Sequence, residues 1–235
     1  MEVLAHCKIY SLSQYYHPQE QLITIDPGIT TTLTDSKTGR IRTLHLIEPD
    51  FKIHDFKRRL LKENITANGK VLIIDIVSAW KNTLLNDPLL LPNVWYANSE
   101  ELFTLEGVIC FLARINANPT NTLQRECSID KNDCHQSNKK EENSLQGIII
   151  DNLSYLHTDS TTDTKSLNIL FKLIKNIQRT FGCWYVSTSL NNEFYQGIEH
   201  SFNSTNNTIM SNYVNDMDLV MVRDPSTKQV RQLNK

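Results

Sequence analysis

The chain has 235 residues, a formal net charge of −2 and 21% charged residues, which suits one globular domain with a sizeable core. Proteins that bind nucleic acid by general electrostatic attraction are usually basic, so any DNA contact of this chain is expected to be local or shared with a partner. The first residues lack the basic and apolar pattern of a signal peptide, and no apolar stretch is long enough to span a membrane. We therefore expect a protein of a reducing intracellular compartment with no membrane partner.

Short apolar runs of strand length recur along the chain. They are 44–48 (LHLIE), 70–77 (KVLIIDIV), 93–97 (NVWYA), 147–153 (GIIIDNL), 183–189 (CWYVSTS), 217–224 (MDLVMVRD) and 229–235 (QVRQLNK). Residues 1–42 have a mixed composition with turn signals and are predicted to form an edge segment of the domain. The turn signal at Thr227 and Lys228 predicts that the last two runs pair as a C-terminal β-hairpin.

Amphipathic segments separate these runs. Apolar residues recur at three- and four-residue steps in 50–64, 99–115 and 165–181, which predicts helices there. Gly182 follows the last of these helices in the position expected of a C′ glycine. Residues 116–144 are polar and poor in aliphatic side chains, so we expect a largely disordered surface insertion.

Strands that alternate with amphipathic helices predict an α/β fold. We expect a single domain over residues 1–235, with a mostly parallel central sheet, helices on both faces and the C-terminal hairpin at one edge. Ligands of such sheets bind at the carboxyl ends of the strands, where Glu48, Asp75 and Asp151 fall. These three carboxylates therefore mark the candidate site.

The segment after the first strand is where a P-loop would hold a triphosphate. Residues 48–55 read EPDFKIHD; they contain no glycine, and Pro49 cannot donate an amide hydrogen bond. Glu48 and Asp50 would repel a triphosphate, and no G-x-G-x-x-G motif follows any strand. We therefore predict no nucleotide cofactor and no ATP hydrolysis. Asp151 is then either a retained magnesium-side aspartate or an acidic strand-end residue hydrogen-bonded to a loop.

Basic and aromatic side chains are further candidates. The basic clusters comprise Lys57, Arg58, Arg59, Lys62, Lys172, Lys175 and Arg179. We interpret both clusters as solvated helix faces rather than DNA contacts. The aromatic residues near strand ends or in loops are Trp80, Trp95, Tyr96, Phe194 and Tyr195. They form either a partner surface or part of the core, and the sequence leaves both interpretations open. Cys127, Cys134 and His135 lack a second paired half, so no metal site is predicted there.

Six segments follow one another along the chain. They are MEVL at the start, KVLIIDIVSAW, GIIIDNLSYL, FGCWYVSTS, EFYQGIE and MDLVMVR. In this order they resemble the platinum-sensitivity (Psy) subunit of the fungal Shu complex, a RecA-like recombinase paralogue. The resemblance spans residues 44–115 and 145–224 together with the first few residues, and it implies a RecA-like core.

The resemblance implies a pseudo-ATPase, in which the fold is kept and hydrolysis is lost. Catalytic relatives carry a glutamate where this chain has Val77, and their P-loop matches the segment that begins at Glu48. The degenerate nucleotide site implied by the resemblance consists of Glu48, Pro49, Asp50, Val77 and Asp151. It has no catalytic residue, no cofactor and no metal.

The resemblance also implies partners. Members of this family pair with a RecA-like paralogue of the Csm type, join further Shu-complex subunits, and help to load a RecA-type recombinase onto single-stranded or forked DNA in the nucleus. Two loops are implied to meet DNA, one at His157–Thr164 and one at Ser201–Asn215. The candidate DNA-binding residues are His157, Lys165, Asn206, Asn207, Thr208 and Asn212.

The second of these loops departs from the family pattern, because no Lys or Arg occurs from Thr180 to Val222. Amide and hydroxyl groups contact phosphates but release few counterions, so we expect weak DNA binding by this chain alone. Three hypotheses remain: a DNA-associated recombination-mediator subunit, an architectural scaffold whose partner binds DNA, and a degenerate ATPase with residual nucleotide binding.

Overall fold

The computed structural model describes residues 18–25, 41–67, 69–127, 144–156, 163–190, 213 and 216–232, with side chains in the last helix described from Ser166 onward. The strands are β1 (Thr43–Glu48), β2 (Gly69–Asp75), β3 (Val94–Ala97), β4 (Ser144–Asp151), β5 (Trp184–Leu190), β6 (Leu219–Arg223) and β7 (Val230–Gln232). The α-helices are α1 (Asp55–Asn64), α2 (Trp80–Leu85), α3 (Leu105–Ala117), α4 (Pro119–Glu126) and α5 (Asp163–Phe181).

In the described part of the chain the strands form one seven-stranded sheet, in the order β3-β2-β4-β5-β1-β6-β7. Neighbouring strands are parallel except β6 and β7, which pair antiparallel across a short turn. The predicted α/β class, with its mostly parallel sheet, flanking helices and C-terminal strand pair, is confirmed. In this strand order, the carboxyl end of β1 lies beside that of β5. The carboxyl end of β5 lies in turn beside that of β4.

Each face of the sheet has its own apolar core, because alternate side chains of a strand point to opposite faces. Ile148 and Ile150 of β4 belong to one cluster with the apolar residues of α3, α4 and α5. Ile149 belongs to the other, with those of α1, α2 and the N-terminal edge segment. All three isoleucines are at most 2% exposed, as expected for a parallel sheet that is covered on both sides.

Helical structure extends into the segment that the sequence predicts to be a polar insertion. Residues 119–126 form α4, which begins after Asn118, whose side-chain oxygen accepts a hydrogen bond from the amide of Asn121. Leu123 is buried in the core, and Arg114 of α3 pairs with Glu126 of α4 at 2.8 Å. The prediction of a disordered insertion over 116–144 is therefore wrong for its first part, and residues 128–143 lie outside the described chain.

Gly182 ends α5 as predicted, with a φ of +69° that favours glycine. Its amide donates to the carbonyl of Gln178 at 2.8 Å, and its own carbonyl accepts from the amide of Gln21 at 2.7 Å. The second bond ties the N-terminal edge segment to the domain, and Ile23 of that segment forms a bridge with Ile41. Within the described ranges, no helix is both long and apolar enough to cross a bilayer.

Candidate functional site

Four polar side chains form a row near the carboxyl ends of adjacent strands. They are Glu48 of β1, Thr188 of β5, Asp151 of β4 and Asp75 of β2. Each lies at an even spacing from apolar residues of the core cluster beneath α1 and α2, so all four point to that face of the sheet. Each is 0% exposed. The predicted convergence of Glu48, Asp75 and Asp151 at one sheet edge is therefore seen.

Lys57 of α1 contacts two of these four side chains. Its ammonium donates hydrogen bonds to Glu48 Oε2 at 2.6 Å and to Asp151 Oδ2 at 2.9 Å. The side chain is only 3% exposed, so the interpretation of Lys57 as part of a solvated basic face is wrong. Residues 57, 60, 61 and 64 are all buried, and this three- and four-residue spacing was the sequence signal that Lys57 points inward.

The other basic residues of α1 behave as predicted. Arg58 and Lys62 have side chains 44% and 43% exposed and pair with Asp55 at 4.0 Å and Asp87 at 2.6 Å. Exposed pairs of this kind add little stability, since solvent screens them. Lys57 alone among these residues belongs to the site.

Asp151 is bound by side chains from three other elements. Besides Lys57, the indole Nε1 of Trp80 donates to Oδ2 at 2.8 Å and the hydroxyl of Thr188 donates to Oδ1 at 2.6 Å. Asp151 is thus hydrogen-bonded at the end of its strand, and these donors lie on α1, α2 and β5 rather than on a loop. We call Glu48, Lys57, Asp75, Trp80, Asp151 and Thr188 the strand-end cluster.

Asp75 fixes the start of α2. Its carboxylate accepts hydrogen bonds from the amides of Ala79 and Trp80 at 3.0 and 2.8 Å and from the hydroxyl of Tyr96 at 2.9 Å. Burial raises the pKa of Asp75, while these donors oppose the rise. Burial, followed by the charge of Asp75, also raises the pKa of the Tyr96 hydroxyl. The Asp75 carboxylate therefore accepts hydrogen bonds from amides at the start of α2, which would otherwise lack partners within the helix.

Two of the aromatic candidates for a partner surface are core residues instead. Trp80 is fully buried and Tyr96 is 5% exposed, and both serve the strand-end cluster through hydrogen bonds. Trp95 is half-buried, with the Lys70 ammonium 5.7 Å from its ring centroid. Phe194 and Tyr195 lie outside the described residues.

Burial and mutual attraction shift the pKa values of Lys57 and Glu48 in this cluster. Burial alone lowers the pKa of Lys57, but attraction to Asp151 and Glu48 and the hydrogen bonds to both raise it above its usual value. Burial raises the pKa of Glu48 to about 8, against the opposing effect of Lys57. Glu48 Oε1 is buried without a hydrogen-bond partner among the described residues. The Lys57 ammonium therefore lies between the carboxyl groups of Glu48 and Asp151, which favour its charged form.

The segment that replaces a P-loop is bound by its own side chains. Asp50 Oδ1 accepts from the amide of Lys52 at 3.0 Å and lies 2.6 Å from His54 Nε2. Arg223 Nη1 lies 2.8 Å from the same ring nitrogen. This arrangement turns carboxylate and imidazole groups toward one another, and it provides no glycine-rich row of amides for a phosphate. Pro49 contributes no donor at all.

An apolar groove lies beyond the cluster, and sequence analysis identified only one of its residues, Val77. The groove encloses about 300 Å³ and is lined by Phe51, Ile76, Val77, Phe103 and Tyr155. Phe51 and Tyr155 are 47% and 40% exposed, and their rings meet edge to face with centroids 6.1 Å apart. Aromatic side chains are enriched at protein interfaces.

The side chains predicted to bind DNA lie outside the described part of the chain. His157, Asn206, Asn207, Thr208 and Asn212 lie outside the described residues, and Lys165 belongs to α5 with its side chain outside them. In the described chain, Lys175 of the other basic cluster pairs with Asp216 at 2.7 Å.

The sequence predicts no metal site at Cys127, Cys134 and His135. Cys127 is a buried thiol, and Cys134 and His135 lie outside the described ranges. Among the residues that the structure describes, no group of three or more His, Cys, Asp or Glu side chains is arranged to hold a metal ion.

Comparison with known proteins gives a consistent match. The family model described as Shu complex component Psy3, DNA-binding, matches residues 7–226, which include the strand-end cluster and the apolar groove. Platinum sensitivity protein 3 of Saccharomyces cerevisiae is 30% identical over 206 residues, which cover 86% of this chain and 79% of that protein. Among solved structures, an ATPase domain aligns with a TM-score of 0.49 and 12% identity, covering 88% of this chain and 78% of that chain.

Proposed function

Because the chain belongs to the Psy3 family of Shu-complex components, we propose that it is a non-catalytic, RecA-like subunit of a recombination-mediator complex. In this role it assembles with other subunits on DNA in the nucleus. The complex then promotes formation of a RecA-type recombinase filament during homologous recombination and error-free repair of replication damage. The observation that carries the proposal is the position of Lys57, whose ammonium is bound to Glu48 and Asp151 within the strand-end cluster.

Phosphoryl transfer requires a phosphate cradle, a metal ion and a group that orients the attacking water. Here the lysine of α1 is buried against two carboxylates, and Pro49 and Asp50 stand where amide donors are needed. Val77, where catalytic relatives carry a glutamate, lines an apolar groove and has no group to orient water. These residues differ from a catalytic site in the phosphate cradle, the metal position and the water-orienting group, which supports a loss of ATP hydrolysis.

The apolar groove supports a function in which this chain binds a partner protein. Its residues Phe51, Val77 and Tyr155 follow Glu48, Asp75 and Asp151 by two to four positions, so the groove lies next to the strand-end cluster. We assign it to the RecA-like paralogue of the Csm type, whose apolar side chains would cover Phe51 and Tyr155. Aromatic residues in a groove of this kind typically contribute most of the binding free energy at protein interfaces.

DNA binding is proposed for the complex rather than for this chain alone. The family description includes DNA binding, whereas the segment 180–222 of this chain contains no Lys or Arg. Lys175, Lys62 and Arg58 are engaged in ion pairs within the chain, which leaves fewer cations to replace counterions on a phosphate backbone.

Co-expression with a Csm-type paralogue, followed by mass measurement, tests the proposal. We expect a stable heterodimer, and the proposal fails if this chain remains monomeric in the presence of the paralogue. Titration of single-stranded and forked DNA at several salt concentrations then measures the phosphate contacts, since log K falls with log salt in proportion to the number neutralised. The paralogue alone serves as the matched control.

The lack of basic residues in 180–222 also favours a second candidate, an architectural scaffold whose partner supplies all DNA contacts. The same titration separates the two. If the salt slope of the heterodimer equals that of the paralogue alone, the chain is a scaffold. If the slope is steeper in the heterodimer, this chain adds phosphate contacts of its own.

A further inference from the structure

We propose that His54 is a positioning residue for the apolar groove, because its ring nitrogen binds Arg223 when it is neutral and Asp50 when it is protonated. The inference rests on the proposed function, in which a partner protein covers this groove. It adds a residue that does not itself line the groove, and it makes partner binding depend on pH.

The first observation is that two groups with opposite requirements meet at one atom. His54 Nε2 lies 2.6 Å from Asp50 Oδ1 and 2.8 Å from Arg223 Nη1. A carboxylate only accepts hydrogen bonds, and a guanidinium only donates them. The ring nitrogen accepts from Arg223 when it carries no proton, and it donates to Asp50 when it carries one. The protonation of this one atom therefore decides which of the two bonds forms.

The second observation links Asp50 to the groove. The same oxygen of Asp50 accepts a hydrogen bond from the amide of Lys52 at 3.0 Å, which closes a turn with Phe51 in its middle. Phe51 lines the groove, and its ring meets that of Tyr155 edge to face. A change in the bond between His54 and Asp50 therefore acts on the turn that presents Phe51.

The third observation is that Arg223 depends on His54. Arg223 ends β6 and is only 8% exposed. Among the described residues its side chain forms the bond to His54 and no ion pair. A guanidinium stays charged in proteins, so protonation of the ring would place two cations 2.8 Å apart and leave Arg223 without this acceptor.

The charged groups around His54 favour its neutral form on balance. Burial lowers the pKa of His54 most, the hydrogen bond and charge of Asp50 oppose this, and the charges of Arg223 and Lys57 lower it further. The ring is therefore neutral at neutral pH and accepts from Arg223. A partner that covers the groove would remove more water from around His54, and desolvation disfavours the charged ring. Partner binding should therefore weaken as the pH falls below 6.5 and the ring becomes protonated.

The first test is the dissociation constant of the heterodimer with the Csm-type paralogue at about pH 7.5 and about pH 5.5, one unit on either side of the usual histidine pKa. We expect the wild-type affinity to fall by roughly threefold or more at the lower pH, the effect of a shift of about half a pKa unit on binding. His54→Gln has a neutral amide that can accept from Arg223 and donate to Asp50 at either pH, so its affinity should change less. Titration of the paralogue affects both heterodimers alike, so the difference between them isolates His54.

The second test needs no partner. Nuclear magnetic resonance titration of the full chain with isotope-labelled histidine measures the pKa of His54, and His54→Gln identifies its signal. Arg223→Gln removes a cation beside the ring and should raise this pKa, whereas Asp50→Asn removes the anion and should lower it. The side chain of Asp50 is 39% exposed, so Asp50→Asn should keep the fold even if Arg223→Gln does not.

The outcomes separate this inference from the proposed function. A heterodimer whose affinity depends on pH equally in wild type and His54→Gln overturns the inference and leaves the proposed function standing. A pKa of His54 that neither Arg223→Gln nor Asp50→Asn moves also overturns it, because the ring would then bind neither neighbour. Absence of a heterodimer at both pH values overturns the proposed function and this inference together.

Discussion

The ammonium nitrogen of Lys57 lies 2.9 Å from Oδ2 of Asp151, although the two residues are 94 positions apart in the chain. Lys57 belongs to the helix after β1, and Asp151 ends β4 on the far side of β5. The same oxygen accepts the indole hydrogen bond of Trp80 from α2. One carboxylate thus joins both helices on this face to the carboxyl edge of the sheet.

The first prediction concerns Lys57→Met, which keeps the length of the side chain and removes its charge. Removal of one partner from a buried ionic cluster leaves a carboxylate without a counterion, and the cost is typically about 3–5 kcal/mol. We expect a loss of this size in the free energy of unfolding, measured by urea denaturation. Lys62→Met is the matched control, because Lys62 is half-exposed and its pair with Asp87 should contribute less than ~1 kcal/mol. Equal losses in the two variants would contradict the account of Lys57.

The second prediction concerns pH. Because burial raises the pKa of Glu48 from 4.5 to about 8, the folded protein keeps a proton that the unfolded chain releases within this range. The contribution of Glu48 to stability is therefore complete below about pH 4.5 and is lost as the pH rises to about 8, with a slope of up to about 1.4 kcal/mol per pH unit. Glu48→Gln should remove this slope.

The pKa shift of His45 also makes stability depend on pH, so the Glu48→Gln control is necessary. It is buried between Ser187 and Ser189, and burial lowers its pKa from 6.5 to about 3. Its neutral form is favoured in the folded state, so its contribution is present above pH 6.5 and is lost as the pH falls toward about 3. The two residues give opposite slopes, and only the difference between wild type and Glu48→Gln isolates Glu48. A difference that does not vary with pH would contradict the protonated state of Glu48.

The third prediction compares two buried tryptophans. Trp80 Nε1 donates to Asp151 at 2.8 Å, whereas Trp184 Nε1 has no partner among the described residues. Both side chains are fully buried, so Trp80→Phe and Trp184→Phe lose similar packing. We expect Trp80→Phe to lower the free energy of unfolding more, by roughly 1.5–3 kcal/mol, the usual contribution of a hydrogen bond to a charged group. If Trp184→Phe is the more damaging change, the bond to Asp151 is not important for stability.

The fold was largely predictable because its signals are local. Apolar runs and amphipathic helices alternate over the whole body of the chain, and this periodicity predicts the strands and the three longer helices. The exceptions are short or polar elements. α2 has 6 residues, too few for a clear period, and in α4 the buried Leu123 is surrounded by polar residues that hide its amphipathic character.

The site was only partly predictable because its parts are distant in the sequence. Glu48, Asp75 and Asp151 could be identified, since the carboxyl ends of parallel strands meet at one edge. The basic composition of the segment KRRLLK predicts a solvated face, and this masks the buried spacing of Lys57. The groove brings Phe51, Phe103 and Tyr155 together from three separate segments, and no local pattern connects them.

The fourth prediction concerns the groove. Phe51→Ala and Tyr155→Ala each remove an exposed ring and should weaken binding to the Csm-type paralogue, by about 5–30-fold for a contribution of about 1–2 kcal/mol. The measurement is the dissociation constant of the heterodimer. Leu89→Ala is the matched control, because Leu89 is 74% exposed and does not line the groove. Unchanged affinity in both groove variants, or an equal loss in Leu89→Ala, would place the interface elsewhere.

The central claim is that Lys57 is bound within the strand-end cluster and that the chain binds no nucleotide there. Equilibrium binding of a fluorescent ATP analogue to the wild-type chain, with and without Mg²⁺, tests it most directly. The account predicts no saturable binding under either condition, because the ammonium is bound to Glu48 and Asp151 and no phosphate cradle follows β1. Saturable, magnesium-dependent binding that unlabelled ATP displaces would contradict it.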